Sequence, residues 1–160
     1  MRILDISTKK HPNAYSLVDD EDYEKLNQQK WSCRAIANSE LRYGGGRMGH
    51  KSVLLHRVIM GDPPGTVDHI DGNGLNNQKS NLRVCTLKQN LQNRRLSKNN
   101  HSGYKGVCWD KDAKLWRAQI NTPSEKGGYI GLFFCLIKAA KAYDKAAKKL
   151  YGEFARVNFK

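Results

Sequence analysis

Paired cysteines are missing from this chain: Cys33, Cys85, Cys108 and Cys135 lie far apart and make no C-x-x-C pair. Their spacing supports neither a zinc ribbon nor a dense disulfide framework, and it fits a reducing compartment. Long apolar runs are missing too. The longest, Ile130 to Ile137, falls far short of the roughly 20 residues that span a bilayer. Met1-Arg2-Ile3-Leu4-Asp5 turns polar at once and does not resemble a signal peptide. A soluble, intracellular protein without a membrane partner is expected. Acidic residues are scarce: 15 Asp and Glu stand against 28 Lys and Arg, a formal charge of +13. The excess is uneven. Residues 1–50 carry 8 basic and 7 acidic side chains, whereas residues 79–100 carry 6 and 0. A field of that sign favours a polyanion, with nucleic acid foremost, although a solvated basic surface is the simpler alternative from charge alone.

With 160 residues there is room for one ordinary domain or two small ones. Tyr15 to Val18 reads as a short strand, and Asp19 or Asp20 can cap a helix through Leu26. Trp31 to Ile36 and Arg47 to Leu55 read as strands on either side of a Gly44-Gly45-Gly46 turn, with a short helix from His56 to Met60. Asp71-Gly72-Asn73-Gly74 should make a tight loop after a strand carrying Val67 to Ile70. Leu82, Val84, Leu87 and Leu91 are spaced for one apolar face of a helix capped by Ser80 or Asn81. Residues 92–102 have no apolar period and read as a basic linker lying along a phosphate backbone, with Arg94, Arg95 and Lys98 as its contacts. Beyond it, Tyr104 to Cys108, Leu115 to Ile120 and Tyr129 to Phe133 form an antiparallel meander. A helix follows in which Leu136, Ala139, Ala140, Tyr143, Ala147 and Leu150 share a face, ending at Gly152.

Chemistry concentrates at Asp68-His69. A carboxylate beside a histidine supplies one hard oxygen ligand for a divalent cation and one base that titrates near neutrality. The stretch continues with Asp71, Asn76-Asn77, Ser80-Asn81-Leu82-Arg83 and Asn90. Each residue alone has a plainer role as a turn or cap, and Asp71 reads as a turn residue in preference to a second carboxylate ligand. Together with Leu55-His56-Arg57 and Val18-Asp19-Asp20-Glu21-Asp22, the stretch resembles the HNH homing endonucleases of the phage and intron type across about residues 14–95.

That resemblance implies a two-stranded hairpin and a helix gripping one divalent ion. Asp68 and Asn90 would be the metal ligands, His69 the general base, and Asn81 a residue that holds the site in register. An amide carbonyl in the last position favours Mg²⁺ or Mn²⁺ over zinc. No small-molecule cofactor is implied. His56 reads as structural or phosphate-contacting.

Gly103-Tyr104-Lys105-Gly106-Val107, Trp116-Arg117-Ala118-Gln119-Ile120, Tyr129-Ile130-Gly131-Leu132-Phe133 and the Ala139 to Ala147 helix look like the plant APETALA/ethylene-response-factor DNA-binding domain. That family lays a three-stranded sheet in the major groove. The matching outward candidates are Lys105, Trp109, Lys114, Trp116, Arg117 and Tyr129, joined by Arg83 from the first region. Trp116 and Tyr129 are equally readable as core aromatics. Cys108 and Trp109 stand where the plant domains tend to be basic, so the plant target sequence does not transfer.

The expectation is an α+β chain with three parts. Residues 1–95 are an HNH (ββα-metal) nuclease domain, 96–102 a basic linker, and 103–160 a three-stranded antiparallel sheet packed on one C-terminal helix. It would act as an endonuclease on double-stranded DNA in the cytoplasm of a virus- or phage-infected host. The alternative is a DNA-binding regulator whose HNH region has lost catalysis.

Overall fold

Ile6 and Leu55, both fully buried, mark the centre of the first of two units into which the chain divides, residues 1–90 and 91–160. The computed structural model describes residues 1–36, 40–121 and 128–159. Among these, no helix is long and apolar enough to cross a membrane.

The first unit opens with an antiparallel hairpin of β1 (Arg2–Asp5) and β2 (Tyr15–Val18). Helix α1 (Asp20–Asn27) follows with Asp20, Glu21 and Asp22 in its first turn, where carboxylates face the positive end of the helix dipole. Asp19 holds the N-cap position but makes no side-chain cap bond. Strands β3 (Trp31–Ala35), β4 (Arg42–Met48) and β5 (Lys51–Leu54) form an antiparallel sheet in the order β3-β4-β5. Leu4, Ile6, Ala14, Val18, Leu26, Trp31, Cys33 and Leu55 make the core.

The glycine run corrects the sequence reading. Gly44, Gly45 and Gly46 lie inside β4 rather than in a turn. The reason is close packing: a Cβ on Gly44 would sit 2.9 Å from Leu55 Cδ2, and one on Gly46 would sit 2.9 Å from the Trp31 ring. The turn instead falls at Gly49, whose φ of 61° a side chain would resist.

Helix α2 (Leu55–Ile59) leads to β6 (Thr66–His69), which pairs antiparallel with β7 (Leu82–Cys85) in the register Asp68↔Arg83 and His69↔Leu82. A 3₁₀ turn at Lys79–Asn81 precedes β7, and α3 (Leu87–Gln92) follows it. Here the helical reading of Leu82 to Leu91 fails. Leu82 is buried in a strand, while Val84, Leu87 and Leu91 are exposed. Strand pairing with β6 satisfies the backbone of 82–85, and the local apolar spacing had no knowledge of that partner.

The second unit is a meander of β8 (Val107–Asp110), β9 (Leu115–Gln119) and β10 (Tyr129–Phe133), in the order β10-β9-β8, covered by α4 (Leu136–Tyr151). Ala139, Ala140 and Ala147 are fully buried, so α4 lies close on the sheet. Gly106 shows how close: a Cβ there would come within 2.0 Å of the Tyr143 ring. Leu150, expected on the buried face, is exposed. Asp144, buried at mid-helix, accepts from Asn158 N, Asn158 Nδ2 and Phe159 N at 2.8 to 2.9 Å, which ties the C-terminal tail to the helix.

Candidate nuclease site and nucleic-acid interface

The loop from Ile70 to Gln78 between β6 and the 3₁₀ turn is held from both sides. Inside it, Asp71 Oδ1 accepts from Asn73 N at 2.7 Å and Asn81 Nδ2 at 3.0 Å, and Asp71 Oδ2 accepts from Asn76 Nδ2 at 2.9 Å. Burial pushes the Asp71 carboxyl up, but these bonds from Asn73, Asn76 and Asn81 outweigh it and hold the group below its ordinary value. Asn81 closes the loop: its Oδ1 accepts from Asp71 N at 3.0 Å, and its Nδ2 also donates to Asn76 O at 2.8 Å.

From outside, β2 and the start of α1 grip the same segment. Leu17 N donates to Leu75 O at 2.9 Å and Asn77 N to Leu17 O at 2.8 Å. The Asp19 carboxylate accepts from Lys79 N at 2.8 Å and Gln78 Nε2 at 3.2 Å, which is why it does not cap α1. Lys79 Nζ pairs with Glu21 and Asp22.

His69 ends β6, buried. Its Nε2 meets Asn77 Oδ1 at 3.0 Å, and its ring stands edge-on to His56 at 4.9 Å between centroids, with Tyr43 tilted against both at 5.6 and 5.8 Å. Burial lowers the His69 pKa, opposed by the Asn77 bond and by the Asp71 and Asp68 charges. The ring is therefore neutral at neutral pH and able to take up a proton. His56 is pushed down to about 4, first by burial and then by His69 and Arg57, and its Nδ1 is buried without a hydrogen-bond partner among the described residues.

Asp68 is buried opposite Arg83, whose Nε and Nη2 both donate to Asp68 Oδ2, at 3.1 and 2.9 Å. Arg83, expected to contact DNA, thus has its guanidinium on the carboxylate expected to hold the cation. Asn90 lies half-buried on α3, with its backbone N–H on Thr86 O at 3.0 Å. Among the described residues no group of three or more His, Cys, Asp or Glu side chains could hold a metal ion. The donors expected from the sequence would be one carboxylate, Asp68, and one amide carbonyl, Asn90. Two hard oxygens suit a Mg²⁺-like cation that keeps positions open for substrate oxygens and water, and they do not make a closed structural site.

In the second unit Lys105 also departs from expectation. Its ammonium turns inward and donates to Gln92 O at 2.6 Å and Arg94 O at 2.8 Å, and burial with Arg156 and Arg94 nearby drives its pKa down to about 8. Asn100 Nδ2 donates to Tyr104 O at 3.1 Å and Val107 O at 3.3 Å, so part of the expected linker is bonded to the meander. Trp116 packs on the α4 core and edge-on against Trp109, at 5.0 Å between centroids, while Trp109 and Tyr129 are each about half exposed. Arg117 pairs with Asp110, and Lys114 lies exposed in the β8–β9 turn at a φ of 52°. Arg94, Arg95 and Lys98 have exposed side chains. All four cysteines are free thiols.

Sequence reasoning passed over Ser16 and Tyr43 as parts of this site, and it gave Arg83 a DNA contact in place of its pairing with Asp68. Asn77 was visible only as the second half of an Asn-Asn pair, and nothing local in Ser16 or Tyr43 signalled a role.

These arrangements amount to a two-stranded hairpin with a tightly bonded loop in the first unit and a three-stranded sheet covered by one helix in the second. The AP2 domain matches residues 102–153. Protein 3.8 of Escherichia phage T7 is 33% identical over 90 residues, which cover 56% of this chain and 73% of that protein. An uncharacterized HNH endonuclease of Acanthamoeba polyphaga mimivirus is 29% identical over 152 residues, 91% of this chain and 75% of the relative. The dehydration-responsive element-binding protein 2A of Oryza sativa subsp. indica is 40% identical over 65 residues, 38% of this chain and 22% of that protein. No solved structure matches the chain. The chain belongs to the HNH homing endonucleases of phage type, in the family of phage T7 protein 3.8, and carries an AP2 domain in its second unit.

Proposed function

We propose that this protein is a divalent-cation-dependent endonuclease that hydrolyses phosphodiester bonds in double-stranded DNA. The observation that carries the reading is His69: a buried, neutral imidazole fixed on Asn77, next in sequence to the Asp68 carboxylate at the end of a paired strand. Asp68 and Asn90 would hold Mg²⁺ or Mn²⁺, which when bound offsets charge at the scissile phosphate and at the departing 3′-oxygen. His69 takes the proton of the attacking water. Asn81 keeps the loop closed so that His69 and Asp68 stay at the hairpin mouth. One such site per chain makes a nick the simplest event for a monomer.

The AP2 module is the anchor. Trp109, Lys114, Trp116, Arg117 and Tyr129 on or beside its strands, with Lys105 as the pattern's basic position, meet DNA through phosphates and a limited set of base edges. Arg94, Arg95 and Lys98 add phosphate contacts. The inward ammonium of Lys105 and the core packing of Trp116 make those two the weakest of the set.

The Arg83–Asp68 pair favours the second reading, a DNA-binding regulator with a silent HNH region, because it engages the ligand carboxylate. One assay separates the two. Supercoiled plasmid incubated with Mg²⁺ or Mn²⁺ is nicked by the wild type, and His69→Ala loses at least ~10²-fold of that activity while DNA binding is kept. Equal nicking by both proteins removes His69 from the mechanism, and no nicking by either leaves the regulator.

A further inference from the structure

The contacts around Asn77 favour one arrangement of hydrogens between its amide and His69 Nε2. Ser16 Oγ lies 3.1 Å from Leu75 O, and with its hydrogen on that carbonyl it accepts from Asn77. The Asn77 atom 2.7 Å from it is therefore Nδ2. A second check agrees: Nδ2 also faces Gly74 O at 3.4 Å, and a carbonyl cannot donate. With Nδ2 so placed, the atom presented to the imidazole is the amide oxygen, an acceptor. The ring nitrogen 3.0 Å away must supply the hydrogen.

Asn77 and Ser16 are both fully buried, so water does not stand in for either. A flipped amide would draw the Ser16 hydroxyl hydrogen off Leu75 O and set Oδ1 against Gly74 O, acceptor against acceptor in a dry site. The backbone adds its own restraint through Asn77 N to Leu17 O at 2.8 Å and Leu17 N to Leu75 O at 2.9 Å.

We propose that Asn77, held by Ser16 on β2, is a positioning residue that sets the tautomer of His69, with the hydrogen on Nε2 and the lone pair on Nδ1. The proposal rests on the nuclease reading for its catalytic meaning: the proton leaving the attacking water goes to Nδ1, and the Nε2–H bond to Asn77 stays in place as the ring becomes imidazolium. Ser16 on the first hairpin is thereby a working part of a site whose Asp68, His69, Asn77 and Asn81 lie more than fifty positions further along.

The test is nitrogen NMR of the full chain labelled in its imidazole rings, without divalent cation, at a pH where His69 is neutral. The His69 signals are those that disappear in His69→Ala. Wild type should show a pyrrole-like Nε2 and a pyridine-like Nδ1. Asn77→Ala should show a mixture of tautomers and nick DNA at least about 10-fold more slowly with DNA affinity kept. Asn77→Asp keeps an acceptor toward the ring and should keep the Nε2–H form. Should Asn77→Ala not fold, Ser16→Ala, which lets the amide turn, replaces it and should admit the second tautomer. A wild-type ring with its hydrogen on Nδ1, or a tautomer unmoved in the folded variants without acceptor or anchor, overturns the proposal. The Nε2–H form in a protein that does not nick supports the relay and counts against the nuclease reading alone.

Discussion

Arg83 and Asp68 face each other across the β6–β7 hairpin, with Nε and Nη2 of the guanidinium both donating to one carboxylate oxygen. Nothing in Ser80-Asn81-Leu82-Arg83 shows that Arg83 will stand opposite Asp68, because the partner lies fifteen residues upstream and only the β6–β7 register joins them. Both side chains are nearly buried, at 11% and 6% exposure, so removing one leaves the other charged and desolvated. Arg83→Ala should destabilise the cation-free protein by about 3 kcal/mol in a denaturant titration. Mn²⁺ should then raise its melting temperature more than that of the wild type, because no guanidinium has to be displaced. A variant as stable as wild type would show that the pair is not formed in solution.

His56 gives a pH dependence of known sign. Its folded value of about 4 lies below the ordinary 6.5, so between those values the unfolded chain binds a proton that the folded chain does not. Its contribution to stability is present above pH 6.5 and is lost as pH falls toward about 4. Urea midpoints measured across that window should fall for the wild type and fall less for His56→Phe. Parallel slopes would refute the buried neutral state.

At the scale of elements, the legible ones were those with a strong period or a breaker at the end. Helix α4 has both, in its alanine-lined face and in Gly152, whose N–H returns to Lys148 O at a φ of 54°. The second and third strands of the meander were legible for the same reason, whereas the first lies at Val107–Asp110 and not at Tyr104 to Cys108. Strands β4 and β7 were not. Three glycines in a row read as a turn until Leu55 and Trp31 are seen pressing on them, and β7 mimics a helix because its apolar residues continue into α3. Gly106 tests the closeness of α4 to its sheet. Its φ of 75° suits glycine alone, and a methyl would overlap the Tyr143 ring. Gly106→Ala should therefore cost at least about 2 kcal/mol in the unfolding of the second unit, read from a thermal melt, whereas an unchanged melt would show that the helix can retreat without penalty.

For the molecule as a whole, the +13 charge is the property with the longest reach. Bound to DNA it releases counterions, so affinity should fall steeply as salt rises, and replacing Arg94, Arg95 and Lys98 by Gln should lower the slope of log K against log salt by up to about 0.9 for each phosphate no longer neutralised. Binding titrations at four or five salt concentrations measure this, and an unchanged slope removes those residues from the interface. Charge, the absence of paired cysteines, and the Asp68-His69, Asn81 and Asn90 spacing are all local or additive properties. The sequence by itself therefore determined that this is a basic α+β chain with an HNH-type stretch ahead of an AP2-like module. What required the tertiary structure was every role that depends on a distant partner: Asp19 anchoring Gln78 and Lys79 instead of capping α1, Lys105 turning inward, Arg83 on Asp68, and Ser16 with Asn77 proposed to select the tautomer of His69. A hydrogen bond has direction and a reach of about 3 Å, and only the folded backbone brings Ser16 and His69 to either side of one amide.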